Sequence, residues 1–200
     1  MLSCRVKKIV YRGVNYFLSY YYFLIFSWCG NVSIGKNLVV KGVPIIDIDS
    51  MSKLIVGDDV MLNSQNLDYH VNMFSPVKLF ADRRDAVIKI GDKTRIHGSC
   101  IHAYERIEIG SNCLIAANCQ IFDGSGHDLS FDCVENRIKT KGASRPICIG
   151  NNVWLGTGVI VLPGVVIGDG SVIGANSVVS KNIPSMVLAA GNPAVVIKEF

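Results

Sequence analysis

Four histidines, His70, His97, His102 and His127, are the side chains of this chain whose charge changes near neutral pH. His127 follows the run IFDGSG and sits in a polar stretch, 125–146, that also holds Asp128, Asp132, Glu135, Arg137, Lys139, Lys141 and Arg145. A histidine at the end of a strand beside a polar loop is well placed to act as a general base that must meet a substrate. An unperturbed histidine titrates near ~6.5, which leaves a neutral, proton-accepting form at neutral pH. A plain surface histidine would occupy the same place, and on position alone both readings stand. His70 lies with Arg83 in an earlier irregular stretch, 63–86, while His97 and His102 flank Ser99 within RIHGSCIHAY, which ends on Tyr104.

The elements that must hold these groups are set by a repeat. Over 149–184 the chain reads IGNNVW, LGTGVI, VLPGVV, IGDGSV, IGANSV, VSKNIP, with a branched aliphatic residue opening each block and a small or β-branched one at the fifth place of nearly all. The fourth place holds Asn152, Gly158, Gly164, Gly170, Asn176 and Asn182, types that tolerate a backbone with φ above zero. Glycine and asparagine together are 33 of the 200 residues, so six such residues in six places is not a composition effect. A short strand, a left-handed corner and another short strand on a fixed period coil into a parallel β-helix, with the leading residues stacked inside. The pattern recurs as IGSNCL, IAANCQ and IFDGSG from Ile109, with corners expected at Asn112, Asn118 and Gly124. Shorter pieces start at Ile90, Val56 and Ile34. A β-sandwich would alternate with a period of two and an α/β chain would show helical periods between strands; neither occurs over 88–179. The fold expected is all-β, a left-handed parallel β-helix over 31–184 with excursions near 63–86 and 125–146, a helical segment over 1–30 and a tail over 185–200.

Composition excludes several functions. A formal charge of +4 with no long basic run argues against a nucleic-acid partner. Of seven cysteines, Cys113 and Cys119 fall on fifth places, where a small buried side chain is wanted, which points to reduced core thiols and a cytoplasmic location. The first thirty residues differ: Arg5, Lys7, Lys8 and Arg12 precede an aromatic, apolar stretch over 14–28. It is short for a membrane span of about 20 apolar residues and is interrupted by tyrosine hydroxyls. Two roles fit it, a cap over the open end of the solenoid and a peripheral contact with the inner membrane face.

The run NNVWLGTGVIVLPGVVIGDGSVIGANSVVSKNIPSMVLAAGNPAVVIKEF, together with IEIGSNCLIAANCQIFDGSGHDL, resembles the hexapeptide-repeat acyltransferases that use acetyl-CoA, in particular sugar O-acetyltransferases of the maltose and galactoside type. The resemblance implies that His127 is the general base and that an acidic neighbour, Asp123 or else Glu135, orients its ring. It implies a groove for CoA lined by Trp154, Gly156, Thr157, Gly174 and Ala175, with Ser180, Lys181 and Lys198 facing the nucleotide phosphates. A backbone N–H at Gly156 or Thr157 would receive the oxyanion. Glycines at second places are wanted by every coil, so they carry little weight as ligand contacts. The galactoside enzymes have an asparagine on the coil near Gly98 and a hydrophilic N-terminal helical region; this chain departs at both. His97, Ser99, His102 and Tyr104 are accordingly the residues expected to frame the acceptor. The family implies a homotrimer with sites shared between subunits, a sugar or glycan acceptor and no metal.

Two alternatives compete. The same scaffold serves γ-type carbonic anhydrases, and His97-x4-His102 fits two ligands of their metal site, with only His70 upstream as a third. A non-catalytic solenoid that binds sugar is the other.

Overall fold

The computed structural model describes residues 4–200, with side chains from Ile9 onward. Helix α1 (Cys4–Trp28) is followed by a left-handed parallel β-helix of three sheets visited in turn. Sheet A contains Arg106–Ile109 and Ile147–Ile149, sheet B contains Arg95–His97, Leu114–Ile115, Trp154–Leu155 and Val172–Ile173, and sheet C contains Lys78–Ala81, Cys100–Ala103, Gln120–Phe122, Ile160–Val161 and Val178–Val179. Ile149 pairs with Ile167, so one full coil takes 18 residues, three hexapeptides.

Burial follows the repeat. The leading residues Ile115, Leu155 and Ile173 are in register on sheet B, Ile121, Val161 and Val179 on sheet C, and all are fully buried. Their contacts through the axis are the main source of cohesion, since a fully buried Val, Leu or Ile contributes about 1.5–3 kcal/mol. The fifth places are inside as well, Cys113 and Cys119 among them. Where a serine occupies that place its hydroxyl is satisfied by a carbonyl: Ser171 donates to Pro184 O at 2.6 Å and Ser177 to Gly174 O at 2.7 Å.

Asn112, Asn118, Asn152, Gly158, Gly164, Gly170 and Asn176 all turn with positive φ, as the pattern requires. Asn182 and Gly124 depart from it. Asn182 spends its side chain accepting the Val166 N–H at 2.8 Å, and Gly124 bridges Ser144 at the neck of the second excursion instead of closing a corner. Left-handed corners also fall on Asp59 and Lys93, which lack glycine's freedom.

The first excursion is shorter than its polarity suggests, because the sheet C strand Lys78–Ala81 resumes the coil inside it. The irregular part lies flat against the solenoid: the Asn118 side chain accepts the Phe74 N–H at 3.0 Å and donates to Asn72 O at 2.9 Å. The second excursion projects outward and carries a 3-10 turn, Val134–Lys139, with no buried residue.

Helix α1 packs Leu18, Tyr22 and Phe26 on the first coil, and Ser19 Oγ accepts the Val40 N–H at 2.9 Å. Its other face exposes Tyr16, Phe17, Tyr20 and Trp28. No helix among the described residues is long and apolar enough to cross a membrane. At the far end Val187–Gly191 pairs antiparallel with Ala194–Glu199, closing sheet B.

Candidate active site

Because Ile96, Ile115, Leu155 and Ile173 share a register, the residues that follow them form a second column at the corner between sheets B and C: His97, Ala116, Gly156 and Gly174. Small residues there leave a groove of about 450 Å³ whose walls include Trp154, Thr157, Ala175, Tyr69 and His70. Five of the residues expected to contact CoA, Trp154, Gly156, Thr157, Gly174 and Ala175, therefore come together, joined by His97. The glycines are demanded by packing. A Cβ on Gly156 would lie 2.7 Å from Ala175 N, and one on Gly174 2.8 Å from Ala190 Cβ. Trp154 is half exposed and free to meet a ligand.

The oxyanion expectation narrows here. Gly156 N–H is consumed by Ile173 O at 2.8 Å in the ladder between coils, whereas the bonds of this turn leave the Thr157 N–H unused.

His102 and Tyr104 lie on a different face. On sheet C, the His102 ring packs tilted against Phe80 and Tyr104 at ring separations of 4.4 and 4.2 Å, Asp82 meets its Nε2 at 3.1 Å, and Arg83 lies 3.8 Å over the Tyr104 ring. With Cys100, Gln120 and Phe122 they border a cavity of about 390 Å³ at the foot of the second excursion, next to Gly124 and Gly126. His97 and His102 thus face opposite sides of a corner, each ring held by its own partner, and do not converge as a ligand pair.

Two expectations are corrected. Ser99 cannot frame an acceptor, because it is fully buried and its hydroxyl ties two coils together, contacting Ala116 O at 2.7 Å and accepting the Cys119 N–H at 2.9 Å. Asp123 does not orient His127. Its buried carboxylate accepts the backbone N–H groups of Tyr104, Glu105 and Arg106 at 2.6, 2.9 and 2.6 Å, which fixes the turn into sheet A. Glu135 is engaged locally too, accepting from Cys133 Sγ at 3.0 Å.

His127 stands exposed on the arm formed by 125–146, and no hydrogen bond joins its ring to Asp123 or Glu135. The neck of the arm is fixed by Arg83, whose guanidinium donates to Gly142 O at 3.0 Å and Ser125 O at 3.3 Å. The arm leaves the coil between sheets C and A, and Ser180 and Lys181 lie at that same corner, after Val178–Val179. Lys198 is on the outermost strand of sheet B. Within one chain, then, His127, Ser180 and Lys181 are separated from the groove by the width of sheet C. Tyr69 on the flat excursion is a groove residue that sequence reasoning missed, and His70, weighed there only as a possible third metal ligand, lines the groove beside it; loss of the repeat hid both places.

Residues 149–181 match the family model described as bacterial transferase hexapeptide (six repeats). The resemblance to hexapeptide-repeat acetyltransferases holds. Galactoside O-acetyltransferase of Escherichia coli (strain K12) is 48% identical over 96 residues, 47% of this chain and 44% of that protein. A hexapeptide-repeat acetyltransferase from Vibrio cholerae, solved in complex with acetyl coenzyme A, is 33% identical; the match covers 60% of this chain and 64% of that one, with a TM-score of 0.53. A maltose O-acetyltransferase from Clostridium difficile is 29% identical over 85% of this chain and 71% of its own, with a TM-score of 0.55. The chain spans about half the length of the curated relatives it matches.

Proposed function

We propose that this hexapeptide-repeat protein is an acetyl-CoA-dependent O-acetyltransferase acting on a hydroxyl of a sugar or glycan. The observation that carries the reading is the convergence of Trp154, Gly156, Thr157, Gly174 and Ala175 on one groove in a chain similar to galactoside and maltose O-acetyltransferases. The pantetheine arm runs along the small-residue column, and Thr157 N–H receives the carbonyl oxygen as it becomes an oxyanion. His127 takes the proton of the acceptor hydroxyl while that oxygen bonds to the thioester carbon. The C–S bond then breaks, and the imidazolium returns the proton to the departing thiolate.

A base on one corner and a groove on another call for two copies. In a homotrimer the arm of one subunit reaches the groove of its neighbour and brings His127 there, with Ser180 and Lys181 alongside for the phosphates and Lys198 at the groove's outer end. The arm exposes Leu129, Phe131, Val134 and Ile138, an apolar surface with nothing of its own chain to cover. Sedimentation giving a monomer at micromolar concentration would count against this assembly.

The aromatic face of α1, preceded in the sequence by Arg5, Lys7, Lys8 and Arg12, favours a peripheral contact with the cytoplasmic membrane face. Flotation with anionic vesicles tests it; protein left at the bottom of the gradient rejects it.

The central experiment measures CoA release from acetyl-CoA with sugars and glycan fragments, for the wild type and His127→Ala. Equal turnover by the two proteins would sink the proposed base.

A further inference from the structure

The groove is blind at one end. Going from Gly174 through Gly156 and Ala116, each coil advances about 4.8 Å, and the column then stops being small at His97. The ring of Tyr69 stacks on His97 at 4.4 Å and 20°, and His70 packs beside Tyr69 at 4.8 Å, so the flat excursion builds the end wall.

The orientation of His97 is set by a relay. The Gln65 N–H donates to Asn63 Oδ1 at 3.2 Å, which turns the amide nitrogen of Asn63 toward His97 Nδ1 at 3.1 Å. An amide nitrogen only donates, so Nδ1 is the acceptor, and the ring proton of a neutral imidazole sits on Nε2. Asn63 is itself buried and one face of the His97 ring is stacked on Tyr69, which together hold the pair in this orientation. Among the described residues, the hydrogen bond of the ring is the one at Nδ1, and Nε2 has no partner.

We infer that His97 holds a fixed Nε2–H donor at the blind end of the groove and gives it to the carbonyl oxygen of the acyl donor, as a second donor beside Thr157 N–H. This assignment rests on the acyl-transfer reading above. It makes His97 an electrophilic group with no role as a base, since its accepting nitrogen is occupied by Asn63. Neutrality is secured by burial, with the charges of Lys41 and Arg95 and neighbouring His70 adding to it; together they bring the imidazole from 6.5 down to about 4.

The tautomer is read directly from ¹⁵N-histidine NMR of the whole protein. A protonated Nε2 and a bare Nδ1 are expected for His97, with the Nε2 signal moving on addition of acetyl-CoA. His97→Ala is expected to lower kcat by about a hundredfold to a thousandfold, the usual loss when one oxyanion donor is removed. His97→Gln, whose amide N–H falls near the place of Nε2, recovers most of the rate, and His97→Asn, whose amide falls near Nδ1, does not. A proton found on Nδ1, an Nε2 signal indifferent to acetyl-CoA, or a His97→Ala protein with wild-type turnover overturns the inference. A wild type inactive toward every acceptor overturns the acyl-transfer reading, whereas an active wild type with an equally active His97→Ala overturns this inference alone.

Discussion

The carboxylate of Asp123 accepts the backbone N–H of Tyr104 at 2.6 Å from a position with no solvent exposure. With the N–H groups of Glu105 and Arg106 on its other oxygen, it is a structural clamp on the turn that leads into sheet A. Asp123→Ala removes a buried acceptor from three backbone donors at once and is expected to cost about 3 kcal/mol, a fall of roughly 6–12 °C in Tm for a chain of this size. Acetyl transfer per folded molecule is expected to persist. A stable Asp123→Ala protein with lost activity would restore the carboxylate to the site.

Two glycines respond in opposite directions. Gly158 turns with φ +73°, and an added Cβ would stand 2.3 Å from Asn176 Oδ1, so Gly158→Ala is expected to cost about 1–2 kcal/mol. Gly13, inside α1, has nothing within 4 Å of its Cβ position, and Gly13→Ala is expected to gain up to about 1 kcal/mol in helix propensity. Thermal denaturation of both variants decides; a neutral Gly158→Ala would mean the corner relaxes freely.

The thiols should label in the order of their burial. Cys119 is enclosed, and burial pushes its thiol up to about 11, while Cys148 and Cys133 stand nearer solvent. Titration of the native protein with a thiol reagent is expected to modify Cys148 and Cys133 first, and Cys113 and Cys119 only after denaturant is added. Rapid native labelling of Cys119 would show that the coils open around it.

Stability should depend on His97 below neutral pH. Its folded pKa, about 4, lies below the 6.5 of the unfolded chain, so between these values the unfolded state binds more protons. The contribution is complete above about pH 6.5, is lost progressively as the pH falls to about 4, and then levels off. Urea denaturation of the wild type and His97→Gln across that range should converge as pH falls; parallel curves would show that His97 titrates normally.

The coil was legible because its signal is local. A branched aliphatic residue every six positions and Asn or Gly at the corner are each imposed by a neighbour a few atoms away, and Asn152, Gly158 and Asn176 behave accordingly. The groove was legible as far as its residues fall on the regular coils. Tyr69 and the place of His70 in the groove escaped because they depend on a flat excursion held by Asn118, more than forty residues downstream of it. Asp123 and Ser99 were misassigned for a related reason: a polar residue beside a candidate site and a polar residue bracing the backbone share one sequence appearance, and only burial separates them.

The solenoid is closed at one end by α1 and at the other by the hairpin of Val187–Gly191 and Ala194–Glu199, and between them each strand is in register with the strand one turn away. Spacing along it is therefore quantised. Inserting or deleting one 18-residue turn between the arm and the Trp154 coil would displace His127 from the groove by about 4.8 Å, several times the misplacement that already costs a hundredfold in rate. Such a protein can vary the length of its arm and of its flat excursion, but the regular coil from Ile147 to Leu155 that joins the arm to the groove admits no change of count.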